Sequence, residues 1–178
     1  MSSNRFPNSS AQAYEIFETL LTEKPYPVKA LIAFGGNIIT ANAHSGKGRE
    51  ALKKIDFFVQ SDIFMTPAAE LADIVLPAAT WLEMDYIGDF WKRHGYLLPR
   101  RKVIHVGECR SDHAMLNDLA HRVGQGEHWW DNFEGGLDYI LEPMGITWQE
   151  FKTMDYIRGE VKYEKYKESG FSTHTGKF

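Results

Sequence analysis

Only one cysteine, Cys109, occurs in the 178 residues. A single thiol excludes an intrachain disulfide, an all-cysteine zinc site and an iron–sulfur cluster ligated by this chain alone. No apolar run approaches the roughly 20 residues that span a bilayer, so direct membrane insertion is not expected. No long basic block interrupts a net charge of -4, which argues against a nucleic-acid surface. The opening residues lack a charged-then-apolar signal pattern, and cytoplasm and periplasm both stay open. Seven histidines are present, but none forms H-E-x-x-H or another tight ligand pair, so no metal site is expected. The dinucleotide fingerprint G-x-G-x-x-G is missing, and "SGKGRE" lacks the spacing of a phosphate-binding Walker loop. No serine or cysteine sits in a nucleophile-elbow or triad context. No internal repeat is visible, and no catalytic residue is assigned.

What is present suffices for one compact core, with 43% hydrophobic and 25% charged residues. Ser9 or Ser10 can cap a helix that places Ala13, Phe17, Leu20 and Leu21 on one face before Pro25 and Pro27 stop it. "VKALIAFGG" reads as a buried strand from Val28 to Phe34. "SGKGREALKKI" reads as a short helix from Ser45, "FFVQ" as a strand over Phe57–Gln60, and "DIVLP" as a third strand over Ile74–Leu76. Thr66-Pro67 is a helix start, with Asp73 capping or ending that helix. The stretch from Gly88 to Arg100 is aromatic and irregular, and "YLLPRRKVIHV" offers another extended segment. Ser111 caps a helix whose Leu116, Leu119, Ala120 and Val123 share a face, ended by Gly124. Leu137, Ile140 and Leu141 suggest a further helix, and Thr147 to Glu150 is a capping box. The expected division is an α/β domain over 9–154 and a polar tail over 155–178.

Short apolar strands alternating with helices predict an α/β fold: three layers, a mainly parallel sheet, helices on both faces. Such sheets bind ligands outside the carboxyl ends of their strands. Those ends are Gly35-Gly36-Asn37, Ser61-Asp62, and Pro77 to Glu83. Glycines let backbone N–H groups approach a ligand, and Asn37 adds an amide that donates and accepts. Asp62 suits a purine edge carrying two adjacent N–H donors; it suits equally the cap of a neighbouring turn. Trp81 reads as a packing residue and Glu83 as a solvated carboxylate. Cys109 reads as a buried small residue, and the aromatic run "HWWDNF" is open to an interaction surface, with packing against the sheet the commoner fate of its tryptophans.

"VKALIAFGGN", "VQSDIFMTPAAELADIVLPAATWLE" and "GECRSDHAML" together resemble successive motifs in the third domain of molybdopterin oxidoreductases of the dimethyl-sulfoxide-reductase family. The likeness covers Val28 to Val123, and "GFSTHTGKF" resembles that family's junction into a closing β-barrel domain. The resemblance implies a bis-molybdopterin-guanine-dinucleotide cofactor with molybdenum or tungsten, held between homologous α/β domains. It places guanine-dinucleotide contacts on Asn37, Ser61, Asp62 and Asp112. Met84 stands where many members carry lysine, removing one cationic contact. "DYIGDFWKRHGY" replaces a Gly-x-x-x-Asn stretch, which points to a subfamily with a different substrate funnel.

On this reading the chain is one domain of a larger enzyme performing two-electron redox or oxygen-atom transfer. Its partners are the remaining domains and an iron–sulfur electron-transfer subunit. By itself it is expected to lack turnover. Two other readings remain on the residues: a self-sufficient nucleotide-binding α/β protein, and a non-catalytic interaction module using an exposed apolar face. A reading frame continuing on both sides, with a cysteine cluster upstream, discriminates the first from the others.

Overall fold

The computed structural model describes residues 12–91, 95–159, 162–171 and 173–177. Helix α1 covers Ala13–Thr22. Its first turn is closed by Glu15, whose carboxylate accepts the Gln12 N–H at 2.9 Å. Ser9 and Ser10, expected as caps, lie outside the described residues. Phe17 and Leu20 are buried as the helical period predicts, against α2 (Ser45–Lys54). The basic end of α2, Lys53 and Lys54, complements the negative end of its dipole.

Three strands form one parallel sheet in the order β1-β2-β3: Ala30–Phe34, Phe57–Asp62 and Ile74–Pro77. Strand β1 starts later than the expected Val28. Strand β2 runs beyond Gln60, because a central strand keeps pairing: Ser61 lies beside both Phe34 and Leu76, and Asp62 beside Pro77. Side chains alternate across the sheet. Leu31, Ala33 and Phe58 pack with Phe17, Leu20, Ala51 and Leu52 into the first core.

Gly48 of α2 belongs to that packing, because a Cβ there would sit 2.9 Å from Cζ of the buried Phe17. Gly48→Leu is therefore expected to destabilise the chain by about 1–3 kcal/mol through overpacking. Chemical denaturation checks this; an unchanged midpoint would show that the Phe17 ring yields freely.

The opposite face meets α3 (Asp112–Arg122). Cover there is partial. Ile32, Phe57, Val59 and Ile74 floor a groove of about 550 Å³, with Met115 and Leu119 along its wall. The expected apolar stripe of α3 is thus not a closed core face. Val123 is 61% exposed, whereas Asn117 and Ala120 are buried.

Two local expectations are corrected between β2 and β3. Thr66-Pro67 opens a single 3-10 turn, Ala69–Leu71, not an α-helix. Asp73 caps no helix; its carboxylate accepts the Phe58 N–H at 2.7 Å and its own N–H donates to the Phe58 carbonyl at 2.8 Å. The crossover must bring Asp73 back beside the start of β2, which leaves room for one tight turn only.

A second sheet is antiparallel, in the order β4 (Tyr86–Trp91), β5 (Tyr96–Arg100) and β6 (Ile157–Arg158). The stretch that reads as irregular from Gly88 is therefore a hairpin. An irregularity in register between Gly88 and Trp91 breaks the alternation that would have revealed it. Behind it, α4 (Phe133–Leu141) and α5 (Trp148–Phe151) close a second core of Ile87, Leu137, Leu141, Trp148 and Phe151. The capping box is formed: Thr147 Oγ1 accepts the Glu150 N–H, and Glu150 accepts the Thr147 N–H at 2.8 Å. Ile140 faces out at 48% exposure. Trp130 packs over Gly136 beside Tyr139, not on the parallel sheet. Beyond β6, a short α6 covers Tyr166–Ser169. Among the described residues no helix is long and apolar enough to cross a membrane.

Candidate functional site at the carboxyl edge of the parallel sheet

The parallel register brings the polar ends of β1, β2 and β3 to one edge. The Gly35 N–H donates to the Ser61 carbonyl at 2.8 Å, extending the β1–β2 ladder into the loop. Gly35 and Gly36 have φ of 62° and 54°, which side-chain-bearing residues rarely adopt. A Cβ at either position would meet nothing within 4 Å, so the turn borders open space. The loop is steadied by the Asn37 carbonyl, which accepts from Thr40 N at 3.1 Å and Ala41 N at 2.8 Å. The Asn37 Oδ1 atom is buried and has no partner.

Ser61 is fully buried, and its hydroxyl donates to Asp112 Oδ1 at 2.8 Å. Asp112 occupies the first turn of α3, where the helix dipole favours a carboxylate. Ser111 caps the same turn by accepting the Ala114 N–H at 3.2 Å. Ser61 and Asp112, distant in sequence, therefore lock α3 to the middle strand.

Asp62 is half-buried. Oδ1 accepts from Phe64 N at 3.3 Å; Oδ2 faces Gln60 Nε2 at 3.4 Å and Thr66 Oγ1 at 3.5 Å. The aspartate thus makes the turn contact that the sequence allowed. These bonds are long, which leaves the carboxylate with acceptor capacity. Exposed Ile63, Phe64 and Met65 follow it.

Gln60 had not been singled out as a site residue. It is 0% exposed, and Nε2 donates to the Gly35 carbonyl at 3.2 Å and the Ser61 carbonyl at 3.0 Å. An amide in an otherwise apolar strand was the available signal.

The loop after β3 departs from its expected roles. Trp81 does not pack; it is 63% exposed. Glu83 is not a free carboxylate. It accepts from Thr80 N at 2.9 Å, from Cys109 Sγ at 3.1 Å and from Thr80 Oγ1 at 2.8 Å. Led by the Thr80 N–H and the Cys109 thiol, these donors hold its carboxyl down at about 2. Cys109 is buried, as expected.

A carboxyl lowered on folding contributes stability above its unfolded value and loses it as pH falls through the folded one. Thermal midpoints of the wild type and Glu83→Gln should accordingly differ at pH 6 and converge as pH falls from about 4.5 toward 2. A gap independent of pH would show that the Glu83 charge contributes nothing.

The four residues expected at the site divide into two linked pairs along one edge. Ser61 and Asp112 bond directly. Asp62 reaches the Gly35–Asn37 loop through Gln60, which contacts both the Gly35 carbonyl and the Asp62 carboxylate. The donor and acceptor set fits a nucleotide: glycine backbone for close approach, and a carboxylate with spare acceptor capacity for N–H donors. Among the described residues no group of three or more His, Cys, Asp and Glu side chains is arranged to hold a metal ion.

Comparison with known proteins agrees with this architecture. Residues 8–122 match the family model described as molybdopterin oxidoreductase. The chain is 34% identical over 166 residues to acetylene hydratase of Syntrophotalea acetylenica, covering 91% of this chain and 23% of that protein. It is 36% identical over 132 residues to the F420-dependent formate dehydrogenase 2 subunit alpha of Methanococcus maripaludis, covering 74% and 19%. A solved structure of acetylene hydratase from Pelobacter acetylenicus superposes with a TM-score of 0.83 at 31% identity, over 94% of this chain and 23% of that one. The chain thus spans about a quarter or less of the length of these relatives. With the parallel sheet, its polar carboxyl edge and the family match over 8–122 in agreement, this chain belongs to the molybdopterin oxidoreductase family.

Proposed function

We propose that this domain forms one wall of the pocket for a molybdopterin guanine dinucleotide in a longer oxidoreductase subunit, gripping the guanine-nucleotide end. The observation that carries the reading is the convergence of Gly35-Gly36-Asn37, Asp62, and the Ser61–Asp112 pair on one sheet edge. Asp62 accepts from adjacent purine N–H donors, and the glycine turn, steadied by the Asn37 carbonyl, admits the nucleotide close to the backbone. Asp112, held by Ser61, fixes the start of α3 beside that edge. When bound, the cofactor supplies molybdenum or tungsten chemistry: two-electron redox or oxygen-atom transfer.

The metal's amino-acid ligand and the electron-entry cluster belong, on this reading, to other domains and to an iron–sulfur partner. The relatives' names include a hydratase, a dehydrogenase and, in Salmonella typhimurium, a thiosulfate reductase subunit. One cofactor wall thus serves several reactions, and the substrate is chosen elsewhere.

Acid hydrolysis of the cofactor from the full-length enzyme is expected to release GMP. A pterin without a nucleotide, or with a different one, overturns the guanine reading. The purified 178-residue chain should carry no stoichiometric molybdenum or tungsten and show no dye-linked turnover. Either one, detected, would move the metal site into this domain.

A further inference from the structure

We propose that Gln60 is the residue that sets purine specificity, by positioning the Asp62 carboxylate against the glycine turn. The inference rests on the guanine-recognition reading. Gln60 lies on the Phe58 side of the middle strand, where an apolar residue would be expected, and it is 0% exposed. One amide nitrogen spans two strand ends: Nε2 lies 3.2 Å from the Gly35 carbonyl, 3.0 Å from the Ser61 carbonyl and 3.4 Å from Asp62 Oδ2. Two hydrogens face three acceptors, and Oε1 is buried without a partner. A buried polar group left half-satisfied costs stability, so its presence calls for an explanation outside packing.

The explanation follows from what Asp62 must do. A carboxylate meets two adjacent N–H donors only if its plane is fixed, and the terminal torsion of aspartate is broad. The Phe64 N–H holds Oδ1 from the loop. Oδ2 is held by the half-buried Thr66 hydroxyl and by Gln60. Among the described residues only Gln60 makes that contact from a fully buried position, and only Gln60 ties the carboxylate to the Gly35 turn. Removing its donor frees the carboxylate plane while leaving the charge.

GMP and IMP separate these effects, because inosine lacks the 2-amino donor. Both are titrated against the chain by calorimetry, with AMP as a further control. The wild type should prefer GMP over IMP about tenfold, the equivalent of one good hydrogen bond. Gln60→Met keeps the volume and removes the donors, and its preference should fall to about twofold or less. Asp62→Ala should lose the preference altogether.

If Gln60→Met weakens both nucleotides equally and keeps the ratio, Gln60 is only structural and the proposal is wrong, while the Asp62 reading stands. If Asp62→Ala keeps the ratio, or the wild type binds no GMP, the guanine reading itself fails. Should Gln60→Met not fold, NMR of the wild type decides. The Gln60 side-chain amide signals should move with GMP and stay with AMP; signals indifferent to GMP overturn the proposal.

Discussion

Asp62→Ala is expected to lower cofactor retention in the full-length enzyme at least about tenfold. A hydrogen bond to a charged group contributes about 1.5–3 kcal/mol, and every 1.4 kcal/mol is a factor of about ten in affinity. The cost to the fold should be small by comparison. The protein contacts to Asp62, at 3.3 to 3.5 Å, are long, and each of its neighbours has another role or reaches solvent. Asp62→Asn should be intermediate, because one acceptor becomes a donor and the charge is lost. Ser61→Ala acts differently. It releases Asp112 from its 2.8 Å bond and leaves a half-buried carboxylate short of a donor, so stability should fall together with retention. The measurement is cofactor occupancy per protein after gel filtration, alongside the thermal midpoint. Full occupancy in Asp62→Ala would reduce Asp62 to the cap of the Phe64 turn.

The parallel half of the fold was legible because its signals are local. Each strand is a short apolar run, the connections between them carry helix or turn signals, and right-handed connection does the rest. Asn37, Ser61 and Asp62 could be placed along one edge for the same reason: they lie at or just after the ends of neighbouring parallel strands, and the register puts strand ends together. Gln60 was missed because burial of an amide depends on its partners, the Gly35 and Ser61 carbonyls, and those meet only after folding. Glu83 read as solvated because one of its donors, the Cys109 thiol, lies on a segment joined to it only in space, although its Thr80 partner three residues back is local. The β4–β5 hairpin was hidden by its irregular register, and β6 by its length: two residues carry no period. The apolar stripe of α3 failed as a guide for another reason. Its members do not share one environment: Leu119 lines the open groove over the parallel sheet at 37% exposure, Val123 lies outside it at 61%, and Ala120 is buried.

Trp148→Ala is expected to unfold the antiparallel half and spare the nucleotide edge. Trp148 is 1% exposed at the centre of the second core, against Ile87, Leu137, Leu141 and Phe151. Its ring meets Phe151 edge-on at 6.1 Å, and its backbone N–H bonds Asp138 Oδ1 at 2.6 Å, joining the start of α5 to the middle of α4. The N–H survives in alanine; the ring does not. Removing a buried tryptophan side chain costs about 3–5 kcal/mol, comparable with the whole stability of a small subdomain. The first core, around Phe17, Leu52 and Phe58, shares no residue with the second. Helix α3 connects the halves through His113, which stacks on Tyr86 at 4.9 Å and on Phe133 at 5.9 Å, and through His121, whose Nε2 lies 2.9 Å from the Trp130 carbonyl. These links lie outside both buried cores, so loss of one core should not carry the other with it. Amide exchange should therefore become fast at Ile87, Leu97 and Leu141 while Phe58 to Ser61 stay protected. GMP affinity should change less than about threefold. Uniform loss of protection across both halves would show that the two cores fold as one unit, and that Trp148 supports the nucleotide site as well.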